Sequence, residues 1–138
     1  MKKKAIITVV SKQASDKDDS IEVVTPGEFY KENEYYCASY DETEISGMEG
    51  TKTTLLIYPE KFSLIREGTT SAEMKFMKNN DTVTMYNTPY GALELVIQTK
   101  DLKIDINDDG GDVFIRYNMS VSGQVPQKTS LQINIKTH

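Results

Sequence analysis

The chain is poor in the residues on which many catalytic and metal-binding sites depend. Its 138 residues include one cysteine, Cys37, one histidine, His138, and no tryptophan. A single cysteine excludes an intramolecular disulfide and a zinc site built on cysteines. Because His138 is the last residue, where chains fray, we interpret Cys37 as a buried, inert thiol rather than half of a Cys–His pair. With no nucleophile-elbow or phosphate-loop motif, the sequence predicts no enzyme, no catalytic residues and no cofactor.

Basic charge and long apolar runs are also scarce. The net charge is -5, from 16 basic and 21 acidic side chains, and the one basic run is Lys2–Lys4. Nucleic-acid binders usually carry a basic stripe, so no nucleic-acid partner is expected, although folding can still build a local basic patch. No stretch approaches the roughly 18 apolar residues of a membrane-spanning helix. Residues 5–10 are too few for a secretory signal and suit a strand, so we expect a cytoplasmic protein without membrane contact.

Residues that favour strands are abundant. Threonine, isoleucine, valine and tyrosine fit a pleated surface, and apolar residues recur at every second position, as in Leu131, Ile133 and Ile135. Between runs of turn residues, the pattern predicts strands at about 3–13, 20–31, 34–43, 52–59, 61–67, 72–78, 81–87, 91–106, 112–122 and 128–137. This predicts an all-β fold, an antiparallel up-and-down β-barrel of about eight to ten strands forming a single domain over residues 1–138. A two-sheet sandwich is the alternative.

One segment resembles a calcium-binding loop. Residues 105–110, with the sequence DINDDG, place oxygen ligands at the first, third and fifth positions and a glycine at the sixth. The twelfth position needs a bidentate glutamate, and Arg116 stands there, where its positive charge would repel the ion. We therefore predict a hairpin turn in which Gly110 and Gly111 supply positive φ angles, and no metal site.

Four side chains are candidates for ligand binding inside a barrel. Arg66 is in phase with the apolar residues Phe62 and Leu64, and a buried arginine must be paired or hydrogen-bonded. It either reaches solvent at the strand end or anchors an acidic ligand group. Three tyrosines offer an apolar ring with a hydroxyl, which suits either a ligand cavity or a packed core; they are Tyr86, Tyr90 and Tyr117.

Several short motifs, in this order along the chain, resemble the YwiB-like proteins. They are residues 65–68 (IREG), residues 86–95 (YNTPYGALEL), Thr99 and residues 115–119 (IRYNM). These are small bacterial proteins of unknown function, and the resemblance extends over nearly the whole chain. It implies a closed calycin-type barrel similar to lipocalins, and it implies no activity. The G-x-W motif usual in lipocalins is absent, because the chain has no tryptophan.

Two functions are compatible with these observations. The first is a barrel that binds a small, partly apolar or acidic molecule, which an interior filled by residues such as Met74, Met85 and Leu93 would contradict. The second is an interaction module with a packed barrel, either a homodimer or a partner-binding protein. Its candidate surface consists of four aromatic residues on two adjacent strands: Phe29, Tyr30, Tyr35 and Tyr36.

Overall fold

A computed structural model describes residues 2–13, 20–42, 50–68, 71–88, 91–124 and 126–137. Within these ranges the regular elements are ten strands: β1 (Lys3–Gln13), β2 (Ser20–Lys31), β3 (Tyr36–Asp41), β4 (Lys52–Ile57), β5 (Lys61–Glu67), β6 (Ala72–Met77), β7 (Asp81–Thr88), β8 (Gly91–Asn107), β9 (Gly110–Val121) and β10 (Gln127–Thr137). Each strand coincides with a predicted one to within about two residues. In the part of the chain that the structure describes, no helix is long and apolar enough to cross a membrane.

The ten strands form one antiparallel sheet that curves into a nearly closed barrel. The strand order is β6-β5-β4-β3-β2-β1-β10-β9-β8-β7. Consecutive strands pair with each other except β6 and β7, and the first strand, β1, also pairs with the last, β10, as in the register Ile7↔Ile135. The two edges of the sheet are β6 and β7, and a tight turn at residues 78–80 connects them. The Thr82 hydroxyl on β7 donates a hydrogen bond to the Lys75 carbonyl on β6 at 2.7 Å. The predicted all-β barrel is confirmed.

The apolar core fills one end of the barrel. Alternate residues of each strand point inward, and the bulkiest buried side chains include Phe29, Phe62 and Phe76. The Phe76 ring lies edge-on to Tyr117, with centroids 4.9 Å apart. Because buried apolar area is the main stabilising term, this end is the most strongly stabilised part of the fold. Phe29 belongs to this core, so the prediction that it forms part of an exposed interaction surface was wrong.

The β8–β9 hairpin closes the packed end. Asp108 and Asp109 connect the two strands, and the backbone N–H of Asp109 donates to Asn107 Oδ1 at 2.8 Å. Gly110 and Gly111 have φ angles of 111° and 143°, which side-chain-bearing residues rarely adopt. The predicted hairpin with positive φ at both glycines is confirmed.

Candidate functional site

The other end of the barrel contains a cavity of about 310 Å³. It lies where β2 begins and where β3 and β5 end. Most of its wall is apolar, and polar groups stand on several strands. The lining residues are Val9, Ser11, Ile21, Val23, Tyr40, Glu42, Leu64, Arg66, Met74, Tyr86, Leu93, Leu95, Tyr117, Met119, Val121, Thr129 and Leu131. Met85, whose packing inside the barrel would have counted against ligand binding, lies half-exposed on the outside.

Arg66 points into this cavity, as its phase with the inward residues of β5 indicated. Its Nε lies 3.8 Å from Glu42 Oε2, and its Nη1 lies 3.8 Å from Met74 Sδ. Among the described residues, the buried Nε has no hydrogen-bond partner. The guanidinium is therefore positioned beside a counter-charge while part of its hydrogen-bonding capacity is unused.

Glu42 is a site residue that sequence reasoning missed. It is only 7% exposed, although a charged residue just past the end of a strand is usually solvent-exposed. Its signal is its phase with the inward residues Ala38 and Tyr40 on β3. The buried Thr53 hydroxyl donates a hydrogen bond to Glu42 Oε2. Tyr40 also contacts the Glu42 and Thr53 side chains. The carboxylate is thus held by hydroxyl groups as well as by Arg66.

Two cavity tyrosines have raised pKa values. Burial raises the pKa of Tyr40, and the neighbouring Glu42 charge raises it further. Burial also raises the pKa of Tyr117, although the nearby Arg66 charge partly opposes the shift. Since removal from water disfavours the charged form, both side chains stay neutral hydrogen-bonding groups at ordinary pH.

Three of the four predicted ligand-binding residues lie within the described part of the chain. Arg66, Tyr86 and Tyr117 all line the one cavity, so the structure brings these three together. Tyr90 lies outside the described residues. Thr129 also lines the cavity, and its buried Oγ1 has no hydrogen-bond partner among the described residues. A buried hydroxyl without a partner normally finds one in water or in a ligand.

The remaining candidate groups lie away from the cavity. The Asp105–Gly110 segment is the β8–β9 hairpin, and among the described residues no three His, Cys, Asp or Glu side chains are grouped closely enough to hold a metal ion. Cys37 is buried, and that burial raises the pKa of its thiol. A raised thiol pKa lowers the thiolate fraction, which fits the prediction of an unreactive side chain.

Comparisons with known proteins address the family and the fold. A family model described as a domain of unknown function, DUF1934, matches residues 6–133. An uncharacterized beta-barrel protein, YwiB, from Bacillus subtilis (strain 168) is 27% identical over 128 residues, which cover 90% of this chain and 88% of YwiB. A crystal structure of the ywiB protein from Bacillus subtilis matches with a TM-score of 0.88 at 22% identity, covering 99% of this chain and 93% of that one. The structural match supports the barrel fold.

Proposed function

This chain belongs to the DUF1934 family of unknown function, and we propose that its barrel binds a small amphipathic molecule whose acidic group pairs with Arg66. The membership confirms the resemblance to the YwiB-like proteins, and the family itself carries no assigned activity. The proposal therefore depends on the cavity of this chain alone.

The observation that carries the proposal is an apolar cavity with an incompletely bonded arginine in its wall. Small-molecule sites are concave, mostly apolar and supplied with a few polar groups that orient the ligand. At about 310 Å³ the cavity is at the small end of such sites. Leu64, Met74 and Leu95 offer surface to an apolar body, and Arg66 and Thr129 offer hydrogen-bonding groups to its polar end.

The charge of the ligand follows from how Glu42 is bound. Its oxygen lies 3.8 Å from Arg66 Nε, beyond hydrogen-bonding distance, while Thr53 donates to that oxygen directly. Guanidinium carries five N–H donors arranged to match a carboxylate, so Arg66 keeps capacity for a second anionic group. A single carboxylate is the group that this geometry fits best.

The side chains that line the cavity favour ligand binding over catalysis. Within the described residues, the lining includes no cysteine and no histidine, and its tyrosine hydroxyls at positions 40 and 117 resist ionisation. The groups present therefore suit hydrogen bonding and charge pairing rather than nucleophilic attack. We therefore also propose that this protein is not an enzyme.

The test is an NMR titration with octanoate and with octanol, which share an apolar chain and differ in the acidic group. We expect saturable binding of octanoate with shifts at cavity residues, weaker binding of octanol, and a loss of about tenfold or more in octanoate affinity in Arg66→Gln. Lys103→Gln, which removes an exposed cation on the outside of β8, is the matched control and keeps the affinity. Equal affinities for the two probes, or no binding, would overturn the proposal.

A second candidate is self-association through the outer edge of the sheet. Val83 and Met85 are 65% and 50% exposed on β7, which in the described part of the chain pairs with β8 alone. An exposed edge strand with apolar side chains favours pairing with another strand. Light scattering discriminates between the candidates: a dimer that Met85→Lys dissociates supports this one, and a monomer at high concentration excludes it.

A further inference from the structure

The outer surface of the barrel carries a cationic groove, which we define by Lys12, Lys100, Arg116 and Lys128. Asn118, Thr129 and Ser130 are the other described residues that line it, and its volume is about 640 Å³. The four basic side chains are exposed. The chain as a whole carries a net charge of -5, so this cluster is a positively charged patch on a protein of negative net charge.

Strand register brings these four residues together from distant parts of the sequence. Lys12 on β1 lies opposite Ser130 on β10, and Ser130 lies opposite Arg116 on β9. With neighbouring strands about 4.8 Å apart, the Lys12 and Arg116 backbones are separated by roughly 10 Å. Lys128 is two residues from Ser130 and therefore shares its face of the sheet.

A β-bulge supplies the fourth cation. The β8–β9 register runs Thr99↔Tyr117 and then Asp101↔Arg116, so Lys100 is an extra residue in β8. A bulge locally bends the strand and re-aims a side chain. In this position it adds a lysine beside Arg116, and Lys100 lines the same groove.

Within the described part of the chain, the positive charges of the cationic groove have no ion-pair partner. No acidic side chain among the described residues lines the groove. Asp101 faces Arg116 in the strand register without reaching ion-pair distance. Four like charges this close repel one another, and an anion bound between them would relieve that repulsion.

We propose that the cationic groove binds a small molecule carrying two or three linked phosphates. Arginine matches a phosphate with two parallel hydrogen bonds, and lysines supply mobile point charges around it. The Asn118 amide and the Ser130 hydroxyl add uncharged donors. Because the four cations lie within one compact patch, they suit a ligand that concentrates several negative charges in a few atoms, rather than an extended acidic peptide.

The groove is a different site from the barrel cavity. Arg116 and Ser130 lie on the outside of β9 and β10, whereas Tyr117 and Leu131 face the interior. Thr129 lines both, so the two sites adjoin at this residue. The proposal does not depend on the function proposed for the cavity.

Isothermal titration with sodium tripolyphosphate at physiological ionic strength tests the proposal, because exposed charges interact too strongly at low salt. We expect saturable one-to-one binding and a loss of about tenfold or more in Arg116→Gln/Lys128→Gln. Lys103→Gln/Lys136→Gln removes the same charge from other exposed positions on β8 and β10 and keeps the affinity within about twofold. Thermal unfolding of both double variants establishes that each is folded.

Three results would overturn the proposal. The first is the absence of saturable binding, and the second is an equal loss of affinity in the two double variants. The third is equally tight binding of a tri-glutamate peptide, which would show that negative charge alone is recognised. Octanoate titration of the groove variant keeps the two sites distinguishable, because that variant retains octanoate binding if the cavity is the separate site proposed above.

Discussion

At the scale of single residues, the Arg66–Glu42 pair carries the largest consequences. The Glu42 side chain is 3% exposed and the Arg66 side chain 18%, so the two ends of the pair differ in access to water. Removing one member of a buried pair leaves the other as an uncompensated charge, which is far more costly than losing both. The loss in the free energy of unfolding therefore depends on which of the two charges remains.

We expect Arg66→Met to destabilise the protein by about 3 kcal/mol, because it strands the nearly inaccessible Glu42 carboxylate. Glu42→Gln leaves Arg66, which reaches some water, and is expected to cost only about 1 kcal/mol. The double variant recovers part of the loss. Urea unfolding at neutral pH measures all three. An Arg66→Met variant less affected than Glu42→Gln would contradict this account.

Because two tyrosines are buried, we expect the stability of the protein to depend on pH in the alkaline range. Unfolded tyrosines lose their proton near pH 10, whereas the pKa values of Tyr40 and Tyr117 are raised in the folded state. Above about pH 10 the folded state therefore binds more protons than the unfolded state, and the free energy of unfolding falls as pH rises. Urea unfolding from about pH 9 to pH 11 measures the slope. The same slope in Tyr40→Phe/Tyr117→Phe would contradict the assignment to these two residues.

At the scale of elements, the strands were predictable and the cavity was predictable only in part. A two-residue period fixes which side chains share a face, so the inward orientation of Arg66 and Tyr117 followed from the sequence. Glu42 was missed because a charged residue next to the end of a short strand is usually exposed, even where it alternates with inward-facing residues. The cationic groove could not be predicted, because it depends on the β1–β10 and β9–β10 registers and on a bulge at Lys100.

The β8–β9 hairpin depends on a glycine at position 110, which substitution by alanine can test. A Cβ at Gly110 would collide with the Ile135 carbonyl oxygen, in addition to requiring a φ of 111°. We expect Gly110→Ala to cost about 3 kcal/mol, from left-handed strain plus the displacement of β10. Gly123 has a φ of 79° with open space around it, so Gly123→Ala measures strain alone at about 1 kcal/mol. Equal losses in urea unfolding would show that the contact with Ile135 is unimportant.

At the scale of the whole molecule, hydrogen bonding is unequal around the barrel. β9 and β10 have strand partners on both sides, whereas β6 and β7 are the two edges of the sheet. Local opening is easiest where backbone hydrogen bonds and buried contacts are fewest. The edge between β6 and β7 is therefore the part of the barrel expected to open first.

Amide hydrogen exchange followed by NMR tests this inequality. We expect the slowest exchange in β9 and β10, at the packed end, and the fastest strand exchange in β7. Substituting Thr82→Val removes the hydroxyl that donates to the Lys75 carbonyl and is expected to accelerate exchange in β7 without affecting β10. Uniform protection across the ten strands would contradict a weak edge.

The pairing of β1 with β10 also has a topological consequence. Ala5 and Thr137 are direct partners across the two strands, so the beginning and end of the described chain lie side by side. A peptide linker joining them, with the backbone cut in the turn between β6 and β7, would give a circular permutant running from β7 through β10 and β1 to β6. In that permutant the order of strands along the chain equals their order in the sheet. The pairing of β1 with β10 would thereby become a local hairpin.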